Sequence, residues 1–189
     1  MRRLCVVGTG YVGLVTGTCF AELGNQVACL DVDEAKIAML QDGKLPIYEP
    51  GLAELVQRNS AMGRLCFTTS YADAMHAAEF VFIAVNTPES KDNGGGADLR
   101  YVESAARSIA EHLDHDLVIV NKSTVPIGTG DLVASIVERE RKTDAKFSVV
   151  SNPEFLREGS AVTDCLNPDR VVIGAADRAA AEAVASLYL

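Results

Sequence analysis

Three glycines spaced as G-T-G-Y-V-G, at Gly8, Gly10 and Gly13, follow the apolar run Leu4 to Val7, and a second apolar run ends on Asp31, twenty-one residues after Gly10. A strand that feeds a helix through such a turn, with an acid at the end of the next strand, is built to hold a dinucleotide. Gly8 permits the tight turn, Gly10 lets the backbone approach a pyrophosphate, and Gly13 lets the helix pack closely on the sheet. The helix N-terminus, where Tyr11 and Val12 stand, turns free N–H groups and a partial positive charge toward the phosphates. Asp31 would accept hydrogen bonds from the adenosine ribose hydroxyls and repel a 2′-phosphate, which predicts NAD rather than NADP. An ordinary strand-to-helix turn is the competing reading, and the acid in context argues against it. Lys36, on the following helix, could reach the adenosine ribose or a phosphate, or it could be a solvated lysine.

Three further segments carry polar atoms where chemistry could be done. In Val85-Asn86-Thr87-Pro88 the Thr87 hydroxyl can donate to the nicotinamide-side ribose or merely close a turn. Lys122-Ser123-Thr124-Val125-Pro126-Ile127-Gly128 brings an ammonium and two hydroxyls to a fixed proline turn, suited to orienting a substrate or water, or to a turn with satisfied hydroxyls. In Asn152-Pro153-Glu154-Phe155-Leu156-Arg157-Glu158-Gly159, Asn as N-cap, Pro at the first position and Glu in the first turn read as a helix start. The four-residue spacing would then put Glu154 and Glu158 on one helix face, with Arg157 nearby. That set suits a general base and a sugar or ribose ligand.

The elements that must position these residues follow from hydrophobic periodicity. Strand-length apolar runs recur at Leu4 to Val7, Val27 to Leu30, Leu65 to Thr68, Phe80 to Val85, Leu117 to Val120, Phe147 to Val150 and Val171 to Ile173, with segments of helical period between them. Continuous apolar strands alternating with helices predict an α/β fold of the Rossmann type: a doubly wound, mainly parallel sheet with helices on both faces. All six prolines fall outside those runs, where a missing N–H breaks no ladder. The longest loops, Asn86 to Ala97, Lys122 to Gly128 and Ser151 to Arg170, follow the fourth, fifth and sixth strands. In an open parallel sheet, ligands bind at those carboxyl ends. Asn93-Gly94-Gly95-Gly96 makes the first loop flexible, and Asp98 can cap the helix after it. The last segment, Asp177 to Leu189, is Ala-rich and helical and stops without a C-cap or polar tail, as a piece of a longer chain would.

The 189 residues suffice for one well-filled α/β domain. An apolar share of 48% with 23% charged residues suits a soluble domain, and no stretch approaches a membrane span. A net charge of -9 argues against nucleic acid or an acidic membrane surface as partner. Five cysteines with no C-x-x-C pair give neither a disulfide framework nor a zinc site, and a reducing cytoplasm is the simplest setting. His76, His112 and His115 lie in or beside helices and away from the candidate loops, which predicts no metal centre.

G-T-G-Y-V-G with Asp31, Y-E-P-G-L at Tyr48 to Leu52, V-N-T-P at Val85 to Pro88, K-S-T-V-P-I-G-T at Lys122 to Thr129, N-P-E-F-L-R-E-G at Asn152 to Gly159 and N-P-D-R-V-V-I-G at Asn167 to Gly174 occur in one order. Together they resemble the UDP-glucose/GDP-mannose dehydrogenase family over essentially the whole chain, and L-R-E-G-S-A with N-P-D-R is more similar to the UDP-glucose branch than to the GDP-mannose branch. The resemblance implies two successive hydride transfers to NAD, taking UDP-glucose through an aldehyde to UDP-glucuronate, with a cysteine thioester in the second step. It implies that Gly8, Gly10, Tyr11, Val12, Gly13, Asp31, Lys36, Thr87, Thr124 and Glu158 contact the cofactor. Thr124 and Glu154 would position and activate the hydrolytic water, and Glu154, Phe155, Leu156 and Arg157 would hold the UDP-sugar.

The family's catalytic cysteine, with its lysine, asparagine and aspartate, would lie in a central helix and second domain beyond Leu189. The chain is then expected to be the cofactor half, from Met1 to Leu189, and inactive alone. Cys5, Cys29 and Cys66 lie in strands and Cys19 in the first helix. Cys165 alone is in a candidate loop, and nothing near it in sequence would generate a thiolate. Family members form homo-oligomers largely through the parts beyond this chain, so this piece would be monomeric or expose an apolar patch. A GDP-mannose-specific enzyme and a non-catalytic NAD(H)-binding module are the competing readings. The retained Thr124, Glu154 and Glu158 weigh against the second, because a pure sensor needs no hydrolytic base.

Overall fold

Six short apolar segments, β1 (Arg3–Val7), β2 (Gln26–Leu30), β3 (Leu65–Thr68), β4 (Phe80–Ile83), β5 (Leu117–Asn121) and β6 (Phe147–Ser151), lie parallel in one sheet, and β7 (Gly174–Ala175) joins its edge antiparallel. The computed structural model describes residues 1–90 and 96–189; Asn93, Gly94 and Gly95 of the glycine run lie outside the described residues. The strand order is β3-β2-β1-β4-β5-β6-β7. Connections reverse direction between β1 and β4, which opens a crevice at their carboxyl ends.

The helices are α1 (Tyr11–Glu22), α2 (Glu34–Gln41), α3 (Leu52–Ala61), α4 (Tyr71–Met75), α5 (Arg100–Glu111), α6 (Thr129–Glu140), α7 (Ala161–Leu166) and α8 (Arg178–Ala185), followed by a 3-10 turn, Ser186–Tyr188. Strand side chains alternate between two cores, as the pleat requires. Leu4 and Val6 face α1, α2, α3, α7 and α8, while Cys5 and Val7 face α4, α5 and α6. The doubly wound expectation is met. In α5 the buried residues are Val102, Ala105, Ala106, Ile109 and Ala110, the spacing of a one-sided helix. In α1 nine consecutive residues, Gly13 to Ala21, are buried, because α3 and α7 cover the side that the sheet does not.

Two expectations fail. The expected strand at Val171 to Ile173 is displaced to Gly174–Ala175. Val172 is 44% exposed and its carbonyl accepts the Asn152 side chain, so this stretch sits at the sheet edge rather than in a central ladder. The expected helix at Asn152 to Gly159 is absent, and helix begins only at Ala161. Asn152 is no cap: its buried side chain accepts Lys122 Nζ and the Tyr188 hydroxyl and donates to the Val172 carbonyl. Glu154 and Glu158 therefore share no helix face. Asp98 is not the cap residue of α5, which is Leu99; from the position before it, the Asp98 carboxylate accepts the Arg100 amide at 3.0 Å.

Candidate functional site

The turn after β1 is fixed by sterics. Gly8 has φ +101°, and a Cβ there would meet the Ala84 carbonyl oxygen at 2.5 Å; a Cβ on Gly13 would stand 1.9 Å from the Gly8 carbonyl oxygen. Gly10 is different, since its Cβ would meet only the Asn86 Oδ1 at 3.3 Å. Gly8 and Gly13 thus serve packing, and Gly10 faces a cleft of about 690 Å³ that it lines with Gly8, Asp31, Lys36 and Thr87. At the helix start Gly10 occupies the N-cap and no side chain caps it, so the first amides of α1 are open to an anion. The Val12 side chain packs against the core.

Asp31 closes one side of this cleft. Its Oδ2 accepts the Thr9 amide at 2.8 Å, the Thr9 hydroxyl at 2.7 Å and Lys36 Nζ at 2.9 Å, while Oδ1 accepts, among the described residues, the Asp33 amide alone at 3.1 Å. Burial opposes its charge, yet the Thr9 amide and the Lys36 ammonium hold the carboxyl below its ordinary range. Lys36 is thereby neither free in solvent nor aimed away from the cleft. An uncapped helix start, a glycine that would intrude if it bore a side chain, and an ionised acid with lone pairs to spare fit a dinucleotide.

Across the cleft the loops after β4 and β5 are tied together. The Thr87 hydroxyl donates to the Thr124 carbonyl at 2.8 Å, and the Ser123 hydroxyl to the Val85 carbonyl at 2.8 Å. Thr124 itself is exposed at this rim.

Glu154, Phe155, Leu156 and Arg157 line a second cleft of about 660 Å³ with Asp164 and Arg170. Glu154 Oε2 accepts the Leu156 amide at 2.6 Å, which bends the chain where a helix was expected. Arg157 is paired with Asp164 at 2.6 Å, and that guanidinium holds the Asp164 carboxyl down at about 2. Arg170 stacks on the Phe155 ring at 4.9 Å. Glu158 is exposed in the turn before Gly159 and does not line either cleft. Tyr11 turns away from the dinucleotide cleft, its hydroxyl meeting Glu49 at 2.6 Å. Sequence reasoning missed Glu49, Asp164 and Arg170 as site residues. The Y-E-P-G-L and N-P-D-R motifs were the available signals for Glu49 and Arg170.

All five cysteines are unpaired. Burial raises the Cys5 thiol to about 12 and pushes Cys29 higher still. Cys165 lies in α7 rather than in a loop; a hydrogen bond from Cys19 and, against burial, the nearby Lys122 lower its thiol. It borders a gap of about 30 Å³. Cys66 is exposed, on a face remote from both clefts. Among the described residues no group of three or more His, Cys, Asp or Glu is placed to hold a metal ion, and no helix is long and apolar enough to cross a membrane.

A model of the UDP-glucose/GDP-mannose dehydrogenase family, NAD binding domain, matches residues 2–189. The chain is 55% identical over 188 residues to UDP-glucose 6-dehydrogenase TuaD of Bacillus subtilis, covering 100% of this chain and 40% of that protein. It is 42% identical over 183 residues to the UDP-glucose 6-dehydrogenase of Gallus gallus, covering 94% and 37% respectively. A UDP-glucose dehydrogenase structure from Pyrobaculum islandicum superposes with TM-score 0.94 at 47% identity, over 100% of this chain and 44% of that one. The GDP-mannose dehydrogenase of Pseudomonas aeruginosa does so with TM-score 0.91 at 36% identity, over 99% and 44%. The chain thus spans about 40% of the length of such curated relatives.

Proposed function

The chain belongs to the UDP-glucose/GDP-mannose dehydrogenase family, and from that membership we propose that it is the NAD-binding half of an enzyme that oxidises UDP-glucose to UDP-glucuronate. The observation that carries the cofactor part is the convergence of the uncapped α1 start, Gly10 and the ionised Asp31 on one cleft. The higher identity to UDP-glucose enzymes than to the GDP-mannose enzyme supports the choice of sugar.

When bound, NAD would supply the hydride acceptor for the two oxidations that take the sugar C6 alcohol to a carboxylate. The residues of this chain bind and orient. The amides of Tyr11 and Val12 hold the pyrophosphate, and Asp31, steadied by Lys36, holds the adenosine ribose. Thr87, with Thr124 bonded to it at the rim, takes the nicotinamide side; Glu158, which lines neither cleft in this structure, would join them only by a rearrangement of its turn. Thr124 and Glu154 position and activate the water that releases the acid in the second oxidation, with the Glu154 carboxylate as the proton acceptor. Phe155, Leu156 and Arg157 hold the UDP-sugar in the second cleft.

We assign the catalytic cysteine to a part of the enzyme outside these 189 residues. Its support is that none of the five thiols combines exposure, a nearby cation and a place at either cleft. The same unpaired thiols suit a reducing compartment, the cytoplasm.

Calorimetric titration of the chain tests this reading. NAD is expected to bind more tightly than NADP, and UDP-glucose, added to the NADH complex, to shift the NMR amide signals of Phe155 to Arg157. Equal affinity for both dinucleotides would overturn the cofactor assignment, and a GDP-mannose response without a UDP-glucose response would overturn the sugar.

A further inference from the structure

Glu49 is buried between two exposed neighbours, Tyr48 and Pro50, in the bend that leads into α3. Only 4% of it is exposed, which is rare for a carboxylate unless its lone pairs are filled. They are filled from two distant places. Oε2 accepts the Tyr11 hydroxyl at 2.6 Å and the Gly159 amide at 2.8 Å; Oε1 accepts the Ala161 amide at 2.9 Å. Tyr11 is the first residue of α1, whose open end faces the dinucleotide cleft. Gly159 and Ala161 follow directly on Arg157 and Glu158, and the Arg157 carbonyl lies 3.3 Å from the same Tyr11 hydroxyl. One proton serves both oxygens there, and the shorter contact goes to Glu49.

We infer that Glu49 is a positioning residue that couples the dinucleotide cleft to the sugar cleft, by holding the start of α1 and the 157–161 turn on one carboxylate. The inference rests on the proposed reading of the two clefts. Loss of any donor leaves a buried charge short of a partner, so each donor fixes the others. Ordering of the α1 end around a pyrophosphate then reaches the turn that carries Arg157 through two hydrogen bonds. Substrate-side order would follow cofactor binding without any residue touching both ligands.

Amide hydrogen exchange on the full 189-residue chain reads this tie, with NADH as the probe. In the wild type, saturating NADH is expected to slow exchange at Gly159 and Ala161 by about threefold or more. In Tyr11→Phe, which removes one oxygen, both amides are expected to exchange about tenfold faster without ligand, and to ignore NADH even where its fluorescence shows it bound. Glu49→Gln should act in the same direction, with the amides of Val6 and Ile119 in the central strands reporting that the sheet is intact. Wild-type-like exchange and NADH response in Tyr11→Phe would overturn the coupling. If NADH fails to bind the wild type, the cofactor reading falls instead, and ligand-free Tyr11→Phe still decides the tie: faster exchange at both amides supports it, unchanged exchange overturns it.

Discussion

The Thr9 hydroxyl lies 2.7 Å from Asp31 Oδ2, and the Thr9 amide reaches the same oxygen at 2.8 Å. The second residue of the glycine turn therefore aims the acid at the end of the next strand, and leaves Oδ1 the freer oxygen. Hydrogen bonds to a charged group are worth about 1.5–3 kcal/mol each. Asp31→Ala is expected to weaken NAD binding about tenfold or more and to erase the preference over NADP. Unchanged affinity and preference in a titration with both dinucleotides would remove Asp31 from the site.

The three glycines of the turn should separate stability from binding. Gly13→Ala pushes a Cβ to within 1.9 Å of the Gly8 carbonyl oxygen, and backbone must move to admit it. A loss of about 3 kcal/mol in chemical denaturation is expected. At Gly10 the nearest atom is a side-chain oxygen at 3.3 Å, so Gly10→Ala should cost no more than about 1 kcal/mol of stability. Its added methyl should instead weaken NAD binding, because it enters the cleft. Equal stability losses for the two variants would contradict this division.

Acid should destabilise the fold through the half-buried Asp31 and the buried Glu49. Burial opposes charge at both Asp31 and Glu49, yet Thr9 and Lys36 at the first, and Tyr11, Gly159 and Ala161 at the second, hold their pKa values below the ordinary range. A depressed folded pKa means that the unfolded chain takes up protons first. The stabilisation is complete above the unfolded value of about 4 and is lost as pH falls through the folded value. Urea midpoints should be steady near pH 5 and drop below about pH 4. Glu49→Gln should start lower and drop less steeply, and a parallel drop would contradict the role given to Glu49.

Lys122 is expected to cost stability. It is 7% exposed and bonded to two neutral oxygens, Asn152 Oδ1 and the Tyr188 hydroxyl, both at 3.2 Å. Burial pushes its ammonium pKa down. Lys122→Met keeps the volume and removes the buried charge, so it should raise stability by about 1–2 kcal/mol. Because the folded lysine loses its proton more easily than the unfolded one, that advantage should shrink as pH rises toward 10. A lowered melting temperature would show that the two hydrogen bonds outweigh desolvation.

Most of the sheet was legible because parallel strands buried on both faces read as unbroken apolar runs, as the central strands β1 and β4 do most fully. Val171 to Ile173 has the same composition but sits at an edge, where composition does not determine pairing. Asn152-Pro153-Glu154 has the local chemistry of a helix start, and its failure is tertiary. The Asn152 side chain is taken up by Lys122, Tyr188 and the Val172 carbonyl, which lie 30, 36 and 20 residues away. Glu49 was hidden for the same reason. Locally it is an acid between a tyrosine and a proline, and its partners are 38, 110 and 112 residues distant. The glycine turn and Asp31 were legible because their geometry is set within one strand, one turn and the next strand.

The most direct test adds NAD and UDP-glucose to the purified chain and follows NADH absorbance, with a dinucleotide titration in the same sample. Dinucleotide binding without sustained NADH formation is the result that the proposed division of labour predicts. Sustained NADH formation would contradict that division of labour and place the whole reaction within these 189 residues.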